Sequence, residues 1–168
     1  MLNDVFKILA ATPQKLKLEI AGLSPRELKQ RPRPEKWSIQ MILAHLSDLE
    51  EFYRKNRVQA ILQNDVPTLI PFEQEQRAAE LHYDRTDPHR TLTQFVRRRR
   101  ANLQLFSRVK PQEWKRAGVH PEAGEIRLEE IVTEWAFHDL GHIRQIIEVK
   151  RYALFPRIGN MKKFYNFG

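Results

Sequence analysis

Two histidines four residues apart, His138 and His142, have the spacing that places both imidazoles on one face of a helix. A third, His45, falls on the apolar stripe of another predicted helix. Each could be an ordinary core histidine, but a buried polar group without a partner costs roughly 1–3 kcal/mol, and one shared cation would satisfy all three. Three neutral imidazoles predict a site for one divalent ion (Zn²⁺, Ni²⁺ or Fe²⁺) with an open position, as in catalytic centres. The apolar residues around the pair are Leu128, Ile131, Trp135, Ile146 and Val149.

Carboxylates lie within one helical turn of these histidines. Glu134 precedes His138 by four residues and Asp48 follows His45 by three, so either could accept the free imidazole N–H or act as a base. On a helix Asp139 points about 100° away from His138, so it is predicted to have a structural role or to lie at the rim of the metal site. For all three carboxylates, solvation or ion pairing is the alternative.

The run Arg97–Arg100 resembles a nucleic-acid signal, but four successive helical positions spread over about 300° and form no single stripe. Only Arg99 continues the apolar stripe that contains Phe95 and Leu103. An inward guanidinium needs an anion, which Glu134, Asp48 or an anionic substrate could supply. Arg99 is therefore predicted to bind substrate, and the other three arginines to be solvated. The remaining histidines lie beside Asp or Pro and are predicted at the surface: His82, His89 and His120.

The elements that must position these residues are amphipathic helices. Prolines lie mainly between apolar-periodic stretches, and period-two alternation is nowhere convincing, which predicts an all-α class. Four helices with one long connection indicate a four-helix bundle forming a single domain over residues 1–168. The predicted helices cover about 13–22, extended by or following residues 2–10; 39–62; 92–110; and 127–151. A short turn follows Ser24, and a crossover at 64–90 contains a helical segment near 72–82.

Composition limits the chemistry. The 168 residues include no cysteine, so cysteine nucleophiles and thiolate ligands are excluded, and any thiol must be imported. The net charge is +8, and residues 85–168 carry all of the excess, with 17 basic and 9 acidic side chains. This asymmetry indicates either an anionic partner or a solvated basic face. Apolar runs are too short for a membrane span and no signal peptide is evident, so a cytoplasmic protein is expected.

Two segments resemble the DinB/YfiT-like superfamily: Trp37–Glu50 (WSIQMILAHLSDLE) and Phe137–Ile146 (FHDLGHIRQI). The spacing from Phe95 to Arg99 is similar to the third helix of that family. The resemblance implies a four-helix bundle that binds one divalent metal through His45, His138 and His142, often as a homodimer. Characterised relatives include thiol-dependent S-transferases, a thiol-dependent maleylpyruvate isomerase and metal-dependent hydrolases, while many members have no known activity.

These observations lead to three functional hypotheses. The first is a metal-dependent S-transferase that activates a low-molecular-weight, possibly anionic thiol and transfers it to a small-molecule substrate. The second is a hydrolase that uses metal-bound hydroxide at the same open position. The third is a basic nucleic-acid-binding module or a non-catalytic metal-binding bundle, although no zinc finger, RNA-binding aromatic signature or helix-turn-helix spacing supports nucleic-acid binding.

Overall fold

Four long helices carry the apolar stripes of the chain. In the computed structural model, which describes residues 2–165, α1 packs on α6 and α7, and α3 packs on the same two helices. The helices α3 and α6, which are consecutive among the four, therefore pack directly on each other, whereas α1 lies across the bundle from α3 and α6 lies across it from α7. The predicted all-α four-helix bundle with a long connection between its second and third long helices is confirmed. The helices are α1 Asn3–Ile20, α2 Pro25–Lys29, α3 Ile39–Tyr53, α4 Ala60–Gln63, α5 Gln74–Glu80, α6 Pro88–Phe106 and α7 Leu128–Leu154.

Between α3 and α4 the chain continues as a π-helix over Arg54–Gln59, so residues 39–63 form one uninterrupted helical rod. Short 3₁₀ segments cover Tyr83–Arg85, Glu113–Lys115 and Phe155–Phe164. No helix within residues 2–165 combines the length and apolar character needed to cross a membrane.

The helix starts follow local hydrogen bonding. Ser38 caps α3 by accepting the N–H of Met41. The α6 helix begins at Pro88, four residues before the predicted start at Leu92, because Asp87 accepts the N–H of Arg90 and proline is favoured in a first turn. At α7 the backbone N–H of Arg127 is bound by Glu130 from inside the first turn, which replaces a conventional capping side chain.

Of the two predicted alternatives for the first helix, the structure shows the one in which residues 2–10 continue it, so Thr12 and Pro13 do not start it. It runs unbroken from Asn3, and the Thr12 hydroxyl donates to the carbonyl of Ile8 instead of capping. Pro13 lies inside the helix and removes the N–H that would bind the carbonyl of Leu9. The guanidinium of Arg99 donates to this carbonyl at 3.0 Å, so a residue of α6 compensates for the proline.

A two-stranded antiparallel hairpin, absent from the prediction, joins α6 to α7. It pairs β1 (Ala117–His120) with β2 (Gly124–Arg127), and these strands are too short for alternation to reveal them. The crossover docks on β1, because Leu69 donates to the carbonyl of Val119 and Val119 donates to that of Pro67. Gly118 permits this approach, since a Cβ there would lie 2.8 Å from the Leu69 side chain.

The buried apolar residues form two clusters, one at each end of the bundle. Along α3, Ile42 belongs to one cluster and Leu49 to the other, and His45 lies between them. Along α7, Trp135 and Ile146 have the same relation, with His138 and His142 between them. The fold therefore places His138 and His142 at the break between the two apolar clusters, and His45 within one helical turn of it, beside Leu46 of the first cluster.

Candidate metal centre

The three predicted histidines converge. The Nε2 atom of His138 lies 3.1 Å from Nε2 of His45 and 3.1 Å from Nε2 of His142. All three ligand atoms lie within 4.8 Å of one another. Two nitrogens bound roughly 2.0–2.1 Å from a tetrahedral cation would stand about 3.3 Å apart, so the spacing fits a shared ion.

The chemical state of the imidazoles also fits. Burial, reinforced by the neighbouring imidazoles, lowers the pKa of His45 to about 2 and that of His138 to about 3. Burial likewise lowers the pKa of His142. All three rings are therefore neutral near pH 7, which leaves their nitrogen lone pairs available as ligands.

Hydrogen bonding directs the Nε2 atoms to the common centre. Gln145 Oε1 lies 2.8 Å from Nδ1 of His142, so it can accept that N–H and leave Nε2 as the acceptor. Nδ1 of His45 and of His138 is buried without a protein partner. The contacts among the three Nε2 atoms cannot all be good hydrogen bonds, because one N–H serves one acceptor well. A divalent cation satisfies three lone pairs together, so these residues fit the predicted metal.

Aromatic rings fix the position of His45, which is 1% exposed. Its ring lies 5.2 Å from that of Trp37 and 5.4 Å from that of Phe72, measured between centroids. Tyr83 in turn packs edge-on against the Trp37 ring. These aromatic side chains restrict the position of the His45 imidazole and shield it from bulk water.

Glu134 stands on the accessible side of the centre. It lines a cleft together with His138 and His142, and its carboxylate accepts a hydrogen bond from the Tyr53 hydroxyl at 3.0 Å. Although Glu134 as a residue is exposed, the Tyr53 bond draws its carboxyl end against the protein. Partial removal of that carboxyl group from water raises its pKa. Glu134 therefore lies in the cleft beside the histidines, and no hydrogen bond joins it to a histidine within residues 2–165; its role as an acid or base remains a prediction.

Asp48, the second predicted carboxylate, faces elsewhere. Both of its oxygens bind the Arg77 guanidinium at 2.7 Å, and one also accepts the Tyr83 hydroxyl at 2.7 Å. It lines a separate cavity of about 630 Å³. Three residues after His45 on α3, Asp48 points to a neighbouring groove, and it supports the centre through Tyr83 and Trp37 without contacting an imidazole.

Arg99 points inward as predicted, but its anions differ from those expected. It is 1% exposed and binds Glu50 and Asp139, both fully buried, in place of Glu134, Asp48 or a substrate. With the carbonyl of Leu9 as a further acceptor, every N–H of the guanidinium is directed to the protein. Arg99 therefore holds four bundle elements together beneath the centre and has no free donor for a ligand.

The same network explains Asp139, next to the candidate ligand His138. It is fully buried and bound by Arg99, so it has a structural role and does not lie at the rim. Of the other arginines, Arg98 is half-buried and binds Ser47 and Glu51, contrary to the prediction that it is solvated, while Arg97 and Arg100 are exposed.

Two openings lead to the histidines. The larger is a cleft of about 670 Å³ lined by Trp37, Glu134 and His142 and by the cations Arg33, Lys36 and Arg144. The smaller, of about 280 Å³, is lined by His45, Tyr53, Arg57, Phe72 and His120. His138 lines both openings. The centre is accessible from two sides of α7.

Several residues of the site were absent from the sequence prediction. Gln145 follows His142 by three residues on the same helix face, and Tyr53 and Arg57 continue the stripe that contains His45 at four-residue steps. His120 was predicted at the surface, but the hairpin brings it half-buried into the smaller cavity. His82 and His89 are exposed as predicted.

Comparison with known proteins agrees with this architecture. YfiT of Bacillus subtilis is 26% identical over 147 residues, which cover 86% of this chain and 82% of YfiT. A protein of Oceanobacillus iheyensis, OB0782, provisionally named a metal-dependent hydrolase, is 21% identical over 87% of this chain and 84% of its own.

Solved structures show the same fold. The structure of YfiT, described as a probable metal-dependent hydrolase with an unusual four-helix bundle topology, superposes with a TM-score of 0.81 at 22% identity, covering 89% of this chain and 85% of YfiT. The four-helix bundle protein TT2238 gives a TM-score of 0.60 at 18% identity, covering 87% of this chain and 98% of its own. These likenesses support the fold and the order of its helices.

The sequence model of the DinB superfamily matches residues 8–146, a range that includes all three histidines, Glu134 and the buried Arg99 network. Since this match spans most of the chain and the bundle has the topology of YfiT, the chain belongs to the DinB superfamily.

Proposed function

We propose that this protein is a divalent-metal-dependent enzyme acting on small molecules. The observation that carries the proposal is the convergence of three neutral imidazoles beside an open cleft, with Nε2 of His138 3.1 Å from Nε2 of each of the other two. His45, His138 and His142 would hold the ion, Gln145 would fix the tautomer of His142, and the cleft would admit the substrate. A bound Zn²⁺, Ni²⁺ or Fe²⁺ with three neutral ligands lowers the pKa of a water or thiol at its open position.

The residues around the centre have separable tasks. Glu134, in the cleft and with a raised pKa, can receive or return the proton of the attacking nucleophile. Tyr53 orients that carboxylate by its hydrogen bond. Trp37 and Phe72 pack against the His45 ring and shield that ring from water, which strengthens electrostatic effects in the site.

The finer proposal is that the nucleophile is the thiolate of an imported low-molecular-weight thiol, which makes the protein an S-transferase. The chain has no cysteine of its own. The cations Arg33, Lys36 and Arg144 line the cleft and suit the carboxylates of such a thiol. Homodimerisation, predicted from the family resemblance, remains a prediction.

Hydrolysis is the second candidate, and a different observation favours it. Glu134 with a three-histidine centre can activate water without any cosubstrate, and both YfiT and OB0782 carry the description of metal-dependent hydrolase. The two candidates share the centre and differ only in the nucleophile.

The metal is tested first. Protein purified without a histidine tag is expected to contain about one divalent ion per chain by elemental analysis. His45→Ala and His142→Ala are expected to lose it, because each removes one of three ligands. His89→Ala, which removes an exposed histidine, is the matched control and keeps full occupancy. Full occupancy in both ligand variants would contradict the assignment.

Activity then separates the candidates. Thiol-dependent consumption of an electrophile such as monochlorobimane, abolished by a chelator, would support transfer. Metal-dependent turnover of an ester panel without any thiol would support hydrolysis instead. Nucleic-acid binding predicts affinity that falls steeply with salt and survives His138→Ala, and that result would displace both enzyme proposals.

A further inference from the structure

We infer that Arg57 is an anion-binding residue that holds a carboxylate or phosphate group of the substrate across the metal centre from the larger cleft. This inference rests on the proposed function, because it assigns a substrate class to the same site. Arg57 is 8% exposed, and its Nε atom is buried without a hydrogen-bond partner. Within residues 2–165, no carboxylate forms an ion pair with its guanidinium.

A buried cation without an anion is unusual, because removal of a charge from water is costly unless a partner replaces the lost hydration. The ring of Tyr53, 4.4 Å from the guanidinium carbon, offers a cation–π contact but no hydrogen-bond acceptor for the buried Nε. The charge of Arg57 acts on the Glu134 carboxylate, but within residues 2–165 the two side chains form no hydrogen bond or ion pair. The protein thus supplies packing for Arg57 and a more distant negative charge, but no acceptor in contact with Nε. An anion brought by a ligand would complete the arrangement.

The placement of Arg57 relates it to the reacting centre. It lines the 280 Å³ cavity together with His45 and His138, two of the three ligand candidates. The Tyr53 ring on which it lies donates its hydroxyl to Glu134, one helical turn before His138. An oxyanion bound at Arg57 would therefore leave the rest of a small substrate directed to the histidines.

The backbone around Arg57 is also unusual. Arg57 lies inside the π-helical segment Arg54–Gln59, and π-helical turns are rare and frequent at functional sites. The carboxylates Glu73 and Glu122 line the same cavity but are exposed, whereas the guanidinium is buried. The charged residue at the inner end of the cavity is therefore Arg57 and those at its mouth are acidic, so the cavity suits a ligand whose single small anionic end reaches the guanidinium.

The inference is tested by calorimetric titration of the full chain with malonate and with inorganic phosphate, using neutral malonamide as the control ligand. The titrations use metal-free protein, so that direct ligation of a metal by the anion does not contribute. Malonate, phosphate or both are expected to bind, which also identifies the preferred oxyanion. Arg57→Gln is expected to weaken binding at least 10-fold, and Arg57→Lys by less, because lysine keeps the charge without the planar fork. Arg54→Gln, on the same π-helical segment but half exposed, is the matched control and should change affinity less than 2-fold.

Thermal unfolding in anion-free buffer supplies a second readout if one variant folds poorly. Whichever of malonate and phosphate binds in the titration is expected to raise the melting temperature of the wild type and not that of Arg57→Gln. Equal affinity of wild type and Arg57→Gln, or no binding by the wild type, would overturn the inference. Anion binding by a chain that holds no metal would sustain it while refuting the proposed enzyme. Full metal occupancy without Arg57-dependent anion binding would overturn the inference about Arg57 and leave the proposed metal-dependent function intact.

Discussion

The bundle contains two groups of buried polar side chains, and they differ in how completely the protein satisfies them. Around Arg99, every guanidinium N–H meets a protein acceptor, and Glu50 also accepts from Asn102 and Trp135. Around the histidines, Nδ1 of His45 and of His138 and Nε of Arg57 have no partner, whereas the Arg99 network, within the described residues, leaves one such atom, Oδ1 of Asn102. Since unsatisfied buried polar groups are uncommon in native proteins, such groups in one place call for an external partner.

The two groups therefore have different roles in the molecule. The Arg99 network joins α1, α3, α6 and α7 and occupies its own donors, so it can only hold the helices in register. Asp139 belongs to that network, and its neighbour His138 belongs to the histidine group, whose buried polar atoms lack protein partners. The two groups therefore meet within one turn of α7. A rigid base of this kind keeps the three Nε2 atoms together before any ion binds.

The largest expected effect is at Arg99. Arg99→Met leaves the carboxylates of Glu50 and Asp139 buried without their cation, and removal of one partner from a buried ion pair costs about 3–5 kcal/mol. Urea denaturation of the metal-free protein measures this loss in the free energy of unfolding. Arg97→Met, at an exposed position two residues earlier, is the control and should remain within about 0.5 kcal/mol of wild type.

A triple variant tests whether the unpaired carboxylates cause the loss of stability. If the loss comes from the stranded carboxylates, Arg99→Met combined with Glu50→Gln and Asp139→Asn should recover part of it, because no net charge then remains buried. A loss below about 1 kcal/mol in Arg99→Met alone would mean that the network is not the rigid base inferred here.

The next effect is at Gln145, which fixes the tautomer of His142. Gln145→Leu preserves the volume but leaves the Nδ1–H of His142 unpaired, and loss of such outer hydrogen bonds typically lowers metal affinity about 10–100-fold. Competition with a chromogenic chelator measures the change. Gln104→Leu, at an exposed position on α6, is the control. Unchanged affinity in Gln145→Leu would show that packing alone orients His142.

Much of this arrangement could be read from the sequence. The apolar period fixed the faces of the long helices, and the i, i+4 spacing of His138 and His142 fixed their common direction. The position of Arg99 on an apolar stripe predicted its burial. Its partners could not be predicted, because Glu50 and Asp139 come from other helices and meet it only in the assembled bundle.

Other features were hidden for physical reasons. The strands of the hairpin are four residues long, so His120 gave no sign that it reaches a cavity. Arg57 did carry a signal, since it continues the stripe of His45 and Tyr53 in the way that Arg99 continues its own. A charged residue on an apolar stripe is predicted to be buried. Only the structure shows whether its N–H groups have acceptors in the protein.

The smallest expected effect is at Tyr53, between the two groups. Tyr53→Phe keeps the ring under Arg57 and removes the hydrogen bond to Glu134, which should cost about 0.5–1.5 kcal/mol of unfolding free energy. Glu134→Gln and the double variant complete a cycle, and a coupling energy near zero would show that the bond contributes nothing to stability. Metal content should stay at the wild-type level in Tyr53→Phe, because the hydroxyl bonds to Glu134 and not to an imidazole. Loss of the metal in this variant would instead show that Tyr53 helps to hold the ion. Tyr53 would then belong with the histidines and not with the residues that only support the fold.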